Sequence, residues 1–319
     1  MHYVLASPFQ QAITELLAEK HALGFRSTTS FYRLAEFDRF CCEEFPQETM
    51  LSQAIAERWA ELRPQEHPNT RGQRIFYVRQ LAQYMIRMGL HAYVLPPGIE
   101  GRRIQYQPHV FTMHELRAFF TAVDHCRPTP WSPTRHLVVP VLFRLFYCCG
   151  MRPAEVAHLH VEDVDWSAGQ IFVRQSKGYK DRIVPLATDL LALCQDYETH
   201  IRKLVPARTG FFPNRAGHPF DSATFDDWFH QFWDQAALPH VSGNAPRLYD
   251  LRHTFCVHRL NRWVREGRDI HGLLPYLSRY LGHTSLSSTD YYLHLVPDFF
   301  PDWRAHSQRG ETLLPEVLK

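Results

Sequence analysis

The sequence predicts a mainly α-helical protein of two domains with one small β-sheet. Three observations carry that prediction. The chain has 319 residues, more than one hydrophobic core usually serves. Apolar residues recur at helical spacing along most of it, whereas only 170–175 and 182–186 alternate as strands do. Pro96-Pro97-Gly98, followed by Gly101 and Pro108, marks an extended linker that a helix does not cross. The expected division is a helical domain over 1–95, a linker over 96–108, a mixed α/β domain over 109–296 and a tail over 297–319.

Each element has its own signal. In the first domain the apolar sets are Ile13-Leu16-Leu17, Phe31-Leu34-Phe37-Phe40, Ile55-Trp59-Leu62 and Ile75-Val78-Leu81-Met85, one per helix. Ser and Thr before the second set, and Asn69-Thr70 before the fourth, are the expected caps. After the linker, Phe111-Thr112-Met113-His114-Glu115-Leu116 has the pattern of a capped helix start. A buried helix then runs from Leu137 to Cys148 and stops at Gly150. The two strands flank a turn at Ser176-Lys177-Gly178-Tyr179-Lys180-Asp181. Helices resume from Thr188, from Thr224 and from about Leu248; a short one precedes His283 and another follows Leu286.

Composition excludes several classes. With 45% apolar residues, including 22 Phe and 7 Trp, the chain has the means to fill sizeable cores and is not disordered. Seven cysteines, two adjacent pairs among them and no C-x-x-C, read as free thiols in a reducing compartment. No apolar run reaches the roughly 18–20 residues of a membrane span. Met1 to Gln10 lacks the pattern of a signal peptide, so a soluble, intracellular protein is expected. The net charge is only +2, so binding to nucleic acid must rest on local basic patches. From Arg63 to Arg103 there are seven Arg and two Glu, with no Lys or Asp. That block reads as a solvated helix face or as a phosphate-tracking surface, because the guanidinium fork fits phosphate oxygens. Arg71, Arg74, Arg79, Arg102 and Arg103 are its candidate DNA contacts, and Phe76, Tyr77 and Tyr84 within it are expected in the core.

Four stretches carry chemistry. In Gly150-Met151-Arg152-Pro153-Ala154-Glu155, Arg152 stands at a helix start, suited to an anion or to a structural pair with Glu155. Lys177 sits on the strand-to-strand turn, as a solubilising residue or a mobile proton donor. In Arg247-Leu248-Tyr249-Asp250-Leu251-Arg252-His253-Thr254-Phe255, Arg252 borders a buried helix face and needs an anionic partner, either Asp250 or a bound phosphate. Tyr280-Leu281-Gly282-His283 is followed by Leu286 through His294, with Tyr292 nine residues beyond His283.

Taken in order, G-x-R-x-x-E at Arg152, S-K-G at Lys177, L-R-H-T-F at Arg252, L-G-H at His283 and Tyr292 resemble the catalytic set of the tyrosine recombinases, the phage integrase family. The resemblance covers about 111–296, and the helical N-terminal region is similar to the family's core-binding domain. It implies the family's catalytic fold and a DNA strand cleavage and rejoining reaction through a 3′-phosphotyrosine on Tyr292. Arg152 and Arg252 would clamp the scissile phosphate, His283 would hydrogen-bond it, Lys177 would protonate the leaving 5′-oxygen and Glu155 would orient its neighbours. No metal and no ATP are implied, because the arginines and lysine supply the positive charge and the phosphotyrosine conserves the bond energy. The implied partners are double-stranded DNA and three further copies of the chain, a homo-tetramer on two duplexes, alone or with related recombinases. The implied location is the bacterial cytoplasm, at the nucleoid when on DNA.

One departure concerns Tyr249, which stands where the family commonly has a histidine three residues before the second arginine. A phenol is a poorer base near neutrality than an imidazole but still donates a hydrogen bond to phosphate. It is therefore kept as a catalytic candidate. His253 is read as structural, facing elsewhere on its helix. Tyr291 is the rival of Tyr292, and adjacent helical residues point about 100° apart, so only one enters a given site. Arg259, Arg262, Arg265 and Arg268 either border DNA or solvate their helix, and His158, His160, Asp163 and Asp165 are read as structural, not as a metal cluster. The tail from Pro297 contains Phe299, Phe300 and Trp303, and by resemblance it docks on a neighbouring subunit. The competing readings are a type IB topoisomerase and a DNA-binding accessory protein without catalysis.

Overall fold

The computed structural model describes residues 3–25, 28–174, 181–239, 245–283 and 285–295. Contacts divide the chain into two units, Met1–Tyr106 and Gln107–Lys319. Lys177 and the tail beyond 295 lie outside the described residues.

The first unit holds four helices, α1 (Gln10–Ala22), α2 (Thr28–Glu44), α3 (Gln53–Ala60) and α4 (Pro68–Arg87). Each turns its apolar set inward: Ile13 and Leu16, Leu34 and Phe37, Ile55 and Trp59, and Val78, Leu81 and Met85 share one core. Ser52 caps α3 through its hydroxyl. The cap of α4 is His67, with Pro68 in the first turn, so Asn69 stands two places too far along to serve. Its amide instead holds Ile104, accepting from the backbone N–H at 2.9 Å and donating to the carbonyl at 2.7 Å. Ser27, before α2, is outside the described residues.

The arginine block of this unit is largely spent on the fold. Arg74 is 1% exposed and donates to both Glu66 oxygens, at 2.7 and 2.8 Å, and to the carbonyls of Trp59 and Glu61. Arg79 donates to the carbonyls of Leu95 and Pro96 and pairs with Glu100 at 2.8 Å. The expectation that these two track phosphate is therefore corrected. They sit on the packed side of α4, where a cation must be fully paired to be tolerated. Arg71 gives its Nε to the Ala60 carbonyl, while Arg102 and Arg103 are exposed. Phe76, expected in the core, is 48% exposed; Tyr84 is buried.

The second unit begins with α5 (Met113–Asp124), whose Thr112 and Glu115 form a reciprocal capping box. The apolar α6 (Arg135–Cys149) follows and ends at Gly150, and α7 (Pro153–Ala157) starts directly after Arg152. The strands β1 (Val164–Asp165), β2 (Gln170–Val173) and β3 (Arg182–Pro185) form an antiparallel sheet in that order, with Ile171 opposite Val184. At two residues, β1 is too short to leave an alternation in the sequence. Then come α8 (Thr188–Leu204), α9 (Ser222–Gln235), α10 (Asp250–Arg265), α11 (Ile270–Leu281), α12 (Ser287–Asp290) and a 3₁₀ turn at Tyr291–Leu295. The main core centres on Phe119, Phe143, Phe146, Phe229 and Trp233. A smaller one joins α10, α11 and the final turn through Phe255, Cys256, Leu260, Leu277, Leu281 and Tyr292.

His158 and His160 serve local turns. His158 bonds the Ala154 carbonyl, and Asp163 accepts from the His160 backbone N–H and pairs with Arg174. Arg262 pairs with Glu266 on the exposed side of α10, and Arg259 lies over the Phe255 ring. The seven cysteines are free thiols. No helix among the described residues is long and apolar enough to cross a membrane.

Candidate active site

Two helix ends organise the site. Both α6 and α11 close on a left-handed glycine, Gly150 at φ 58° and Gly282 at φ 67°. A side chain at 150 would also collide, since a Cβ there would lie 2.6 Å from Phe255 Cδ1. The last carbonyls of a helix have no partner within it and carry the negative end of its dipole. Here they hold arginines. Arg252, in the first turn of α10 and 1% exposed, donates to the Gly150 carbonyl and, at 2.8 Å, to that of Leu281. Arg152 donates to the Gly282 carbonyl at 2.8 Å. Arg252 thus rests on the neutral carbonyl dipoles at the paired ends of α6 and α11. Asp250 turns instead to the backbone N–H of Arg247.

Glu155 fastens the first arginine. Its carboxylate, 4% exposed, accepts from the Arg152 backbone N–H at 2.8 Å and from Arg152 Nη1 at 2.7 Å. It also takes both Nη groups of Arg182, at 2.5 and 2.7 Å. Arg182 was not among the sequence candidates, although a signal existed. In β3 it alternates onto the same face as buried Val184, and an arginine on the inward face of a strand implies a buried anion.

His283 follows Gly282. Arg252 Nη2 lies 3.2 Å from its Nε2, and its Nδ1 lies 2.7 Å from Thr289 Oγ1. An arginine only donates, so Nε2 is the acceptor and Nδ1 carries the proton. Burial, and then the charges of Arg252, Arg152 and Arg182, hold His283 down to about 4, so it is neutral near pH 7.

Tyr292 is 3% exposed, with its ring stacked 6.2 Å from that of His283 and 5.5 Å from that of His253. Its pKa is raised, first by burial and next by the neighbouring Cys256 thiol. Tyr249, just before α10, is 36% exposed with its ring 5.0 Å from that of His253. His253 is therefore not turned away from the site, as its place beside Arg252 suggested, but lies between the two tyrosines. Tyr291 is half-buried against the smaller core, and its ring meets that of Tyr292 edge-on, 5.9 Å between centroids.

The fold thus brings Arg152, Glu155, Arg252 and His283 into one hydrogen-bonded set, with Tyr292 and Tyr249 beside it. Arg182, His253, Cys256 and Thr289 join them, all unassigned by sequence. Several guanidinium groups around one small volume suit an anion with several oxygens. The sequence profile described as the phage integrase family matches residues 109–298. The chain belongs to the phage integrase family. Membership makes this chain a recombinase by class, with site-specific DNA recombination as its general activity. Among relatives of this integrase, one from Sinorhizobium fredii bearing the name integrase/recombinase y4rB is 27% identical over 93% of this chain and 96% of that one. Tyrosine recombinase XerC of Halalkalibacterium halodurans is 33% identical over 53% of this chain and 54% of its own. The crystal structure of the XerH site-specific recombinase bound to palindromic difH substrate superposes with a TM-score of 0.63 at 18% identity, over 86% of this chain and 78% of that one. That likeness is one of fold.

Proposed function

We propose that this integrase-family chain cleaves and rejoins DNA at specific sites through a covalent 3′-phosphotyrosine on Tyr292. The observation that carries the reading is the union of Arg152, Arg252 and His283 at two helix ends, with the Tyr292 ring stacked on His283. The two arginines clamp the non-bridging oxygens of the scissile phosphate, where charge concentrates in the transition state. Their tethers to helix carbonyls and to Glu155 fix their direction before substrate arrives. When Arg252 turns to the phosphate, His283 donates to it from Nε2, and the Thr289 hydroxyl, donating to Nδ1, fixes that tautomer. The Tyr292 oxygen attacks phosphorus, and Lys177 gives its proton to the departing 5′-oxygen. The phosphotyrosine keeps the bond energy for rejoining, so neither ATP nor a metal ion enters the reaction. Tyr249 donates a hydrogen bond to phosphate in place of the family's histidine.

The proposed partners are double-stranded DNA and three further copies of the chain, with the work divided between a DNA-clasping unit over 1–106 and a catalytic unit beyond it. Arg71, Arg102 and Arg103 are the remaining candidates for phosphate contact in the first unit. The test is a nicked duplex from which the short cleaved strand escapes, selected by gel shift among fragments flanking the chain's own gene. The wild type accumulates a covalent protein–DNA adduct, Tyr292→Phe forms none and Tyr291→Phe forms it still. An adduct that survives Tyr292→Phe and vanishes in Tyr291→Phe overturns the choice of nucleophile. No adduct with any bound duplex leaves the accessory reading in its place.

A further inference from the structure

The reaction requires Tyr292 to lose a proton, and position 249, where the family commonly has a histidine, holds a tyrosine, the poorer base near neutrality. Burial makes that loss harder by raising the phenol pKa. The proton must therefore pass to a group that touches Tyr292 and has a vacant lone pair.

The described neighbours leave one choice. Arg252 is always cationic. Cys256, in the same buried cluster as Tyr292, is a neutral thiol, pushed up to about 12 by burial. His283 has both nitrogens engaged, one with Arg252 and one with Thr289. His253 differs. Its ring lies 5.5 Å from that of Tyr292, and its Nδ1 is buried with no hydrogen-bond partner among the described residues. Tyr249, His253 and Cys256 stand at i, i+4 and i+7, so they form one stripe along the start of α10, and Tyr292 lies on it.

We propose that His253 accepts the Tyr292 phenol proton, replacing from one turn further along α10 the histidine that position 249 lacks. This rests on Tyr292 being the nucleophile. In the step, His253 stands in the tautomer with its own proton on Nε2, the Tyr292 O–H bond breaks and the phenol proton binds the unpartnered Nδ1. The phenol oxygen forms a bond to phosphorus as the bond from phosphorus to the 5′-oxygen breaks, and that oxygen takes a proton from Lys177. Rejoining runs the same transfers in reverse, so His253 returns the proton. The charged and titratable groups facing His253 are Arg247, Arg252 and Tyr249 from its own segment, Tyr292 from the 3₁₀ turn and His283 from the end of α11. Burial and then the two arginines hold His253 down to about 4, leaving it neutral. A phosphate bound between the arginines offsets their field, so basicity rises when substrate is in place.

The experiment measures single-turnover adduct formation by the full chain on the nicked duplex, across pH 5 to 9. His253→Gln and His253→Ala are expected to lose about 100-fold or more in rate, the usual contribution of a general base. DNA affinity and melting temperature stay near wild type, and the rate no longer falls on the acid side. Adding Tyr249→His to His253→Ala restores the rate, which a purely structural role for His253 would not allow. Wild-type rate and pH profile in a folded, DNA-binding His253→Gln overturn the proposal, as does failure of Tyr249→His to rescue His253→Ala. If the wild type itself forms no Tyr292-dependent adduct, the nucleophile reading has failed, and this inference with it.

Discussion

Replacing Glu155 by Gln tests the organisation of the site without touching the residues that would meet the phosphate. The carboxylate is 4% exposed and accepts four hydrogen bonds of 2.5 to 2.8 Å from Arg152 and Arg182. The amide keeps one accepting oxygen but turns an NH₂ toward guanidinium donors, and two cations, 13% and 7% exposed, lose their counter-charge. Removing one partner of a buried ionic set costs about 3–5 kcal/mol, and the retained oxygen puts this case near 3 kcal/mol. For a unit the size of Gln107–Lys319, that corresponds to a fall of roughly 6–12 °C in its melting temperature. Calorimetry on the full chain reads this directly, because the transition of the first unit serves as an internal control. Adding Arg182→Gln removes the stranded second cation, so the double variant loses less than the sum of the two single losses. A drop below about 1 °C, or strict additivity, would refute the reasoning.

Gly150→Ala forces a left-handed φ on a residue with a Cβ and drives that atom to 2.6 Å from Phe255. The backbone term is about 1–2 kcal/mol and the overpacking about 1–3 kcal/mol, so urea denaturation should show a loss of roughly 2–5 kcal/mol. Because the Gly150 carbonyl holds Arg252, adduct formation should fall in the residual folded protein as well. Acid should destabilise the second unit through His253 and His283, each near 4 in the folded state against 6.5 ordinarily. Between those values the unfolded chain binds protons that the folded one refuses. Stability is therefore complete above about pH 6.5, declines as pH falls toward 4 and flattens below, and a His253→Gln/His283→Gln variant should show a shallower slope in urea titrations.

The catalytic candidates were legible because each sits in a local pattern. Gly150 and Gly282 announce helix ends, Pro153 a helix start, and the spacing from His283 to Tyr292 spans one short helix and a turn. Periodicity also separated the helices from β2 and β3, and would have flagged Arg182 had its inward phase been followed. For Arg74 and Arg79 within the arginine block the opposite holds. Arg74 and Arg79 look like any exposed basic residues until Glu66, Glu100 and the carbonyls around them are brought in by packing.

By itself, then, the sequence determined which residues end helices, which faces are apolar and which side chains carry charge or a nucleophilic oxygen, since these depend on neighbours within a turn or two. Only the tertiary structure decided their partners. Arg252 meets a carbonyl 102 positions away and Arg152 one 130 positions away. The turn that carries Tyr292 settles across His253, a residue with no local mark of its role. Such pairings follow from how α6, α10 and α11 bury their apolar faces together, and no spacing along the chain encodes them.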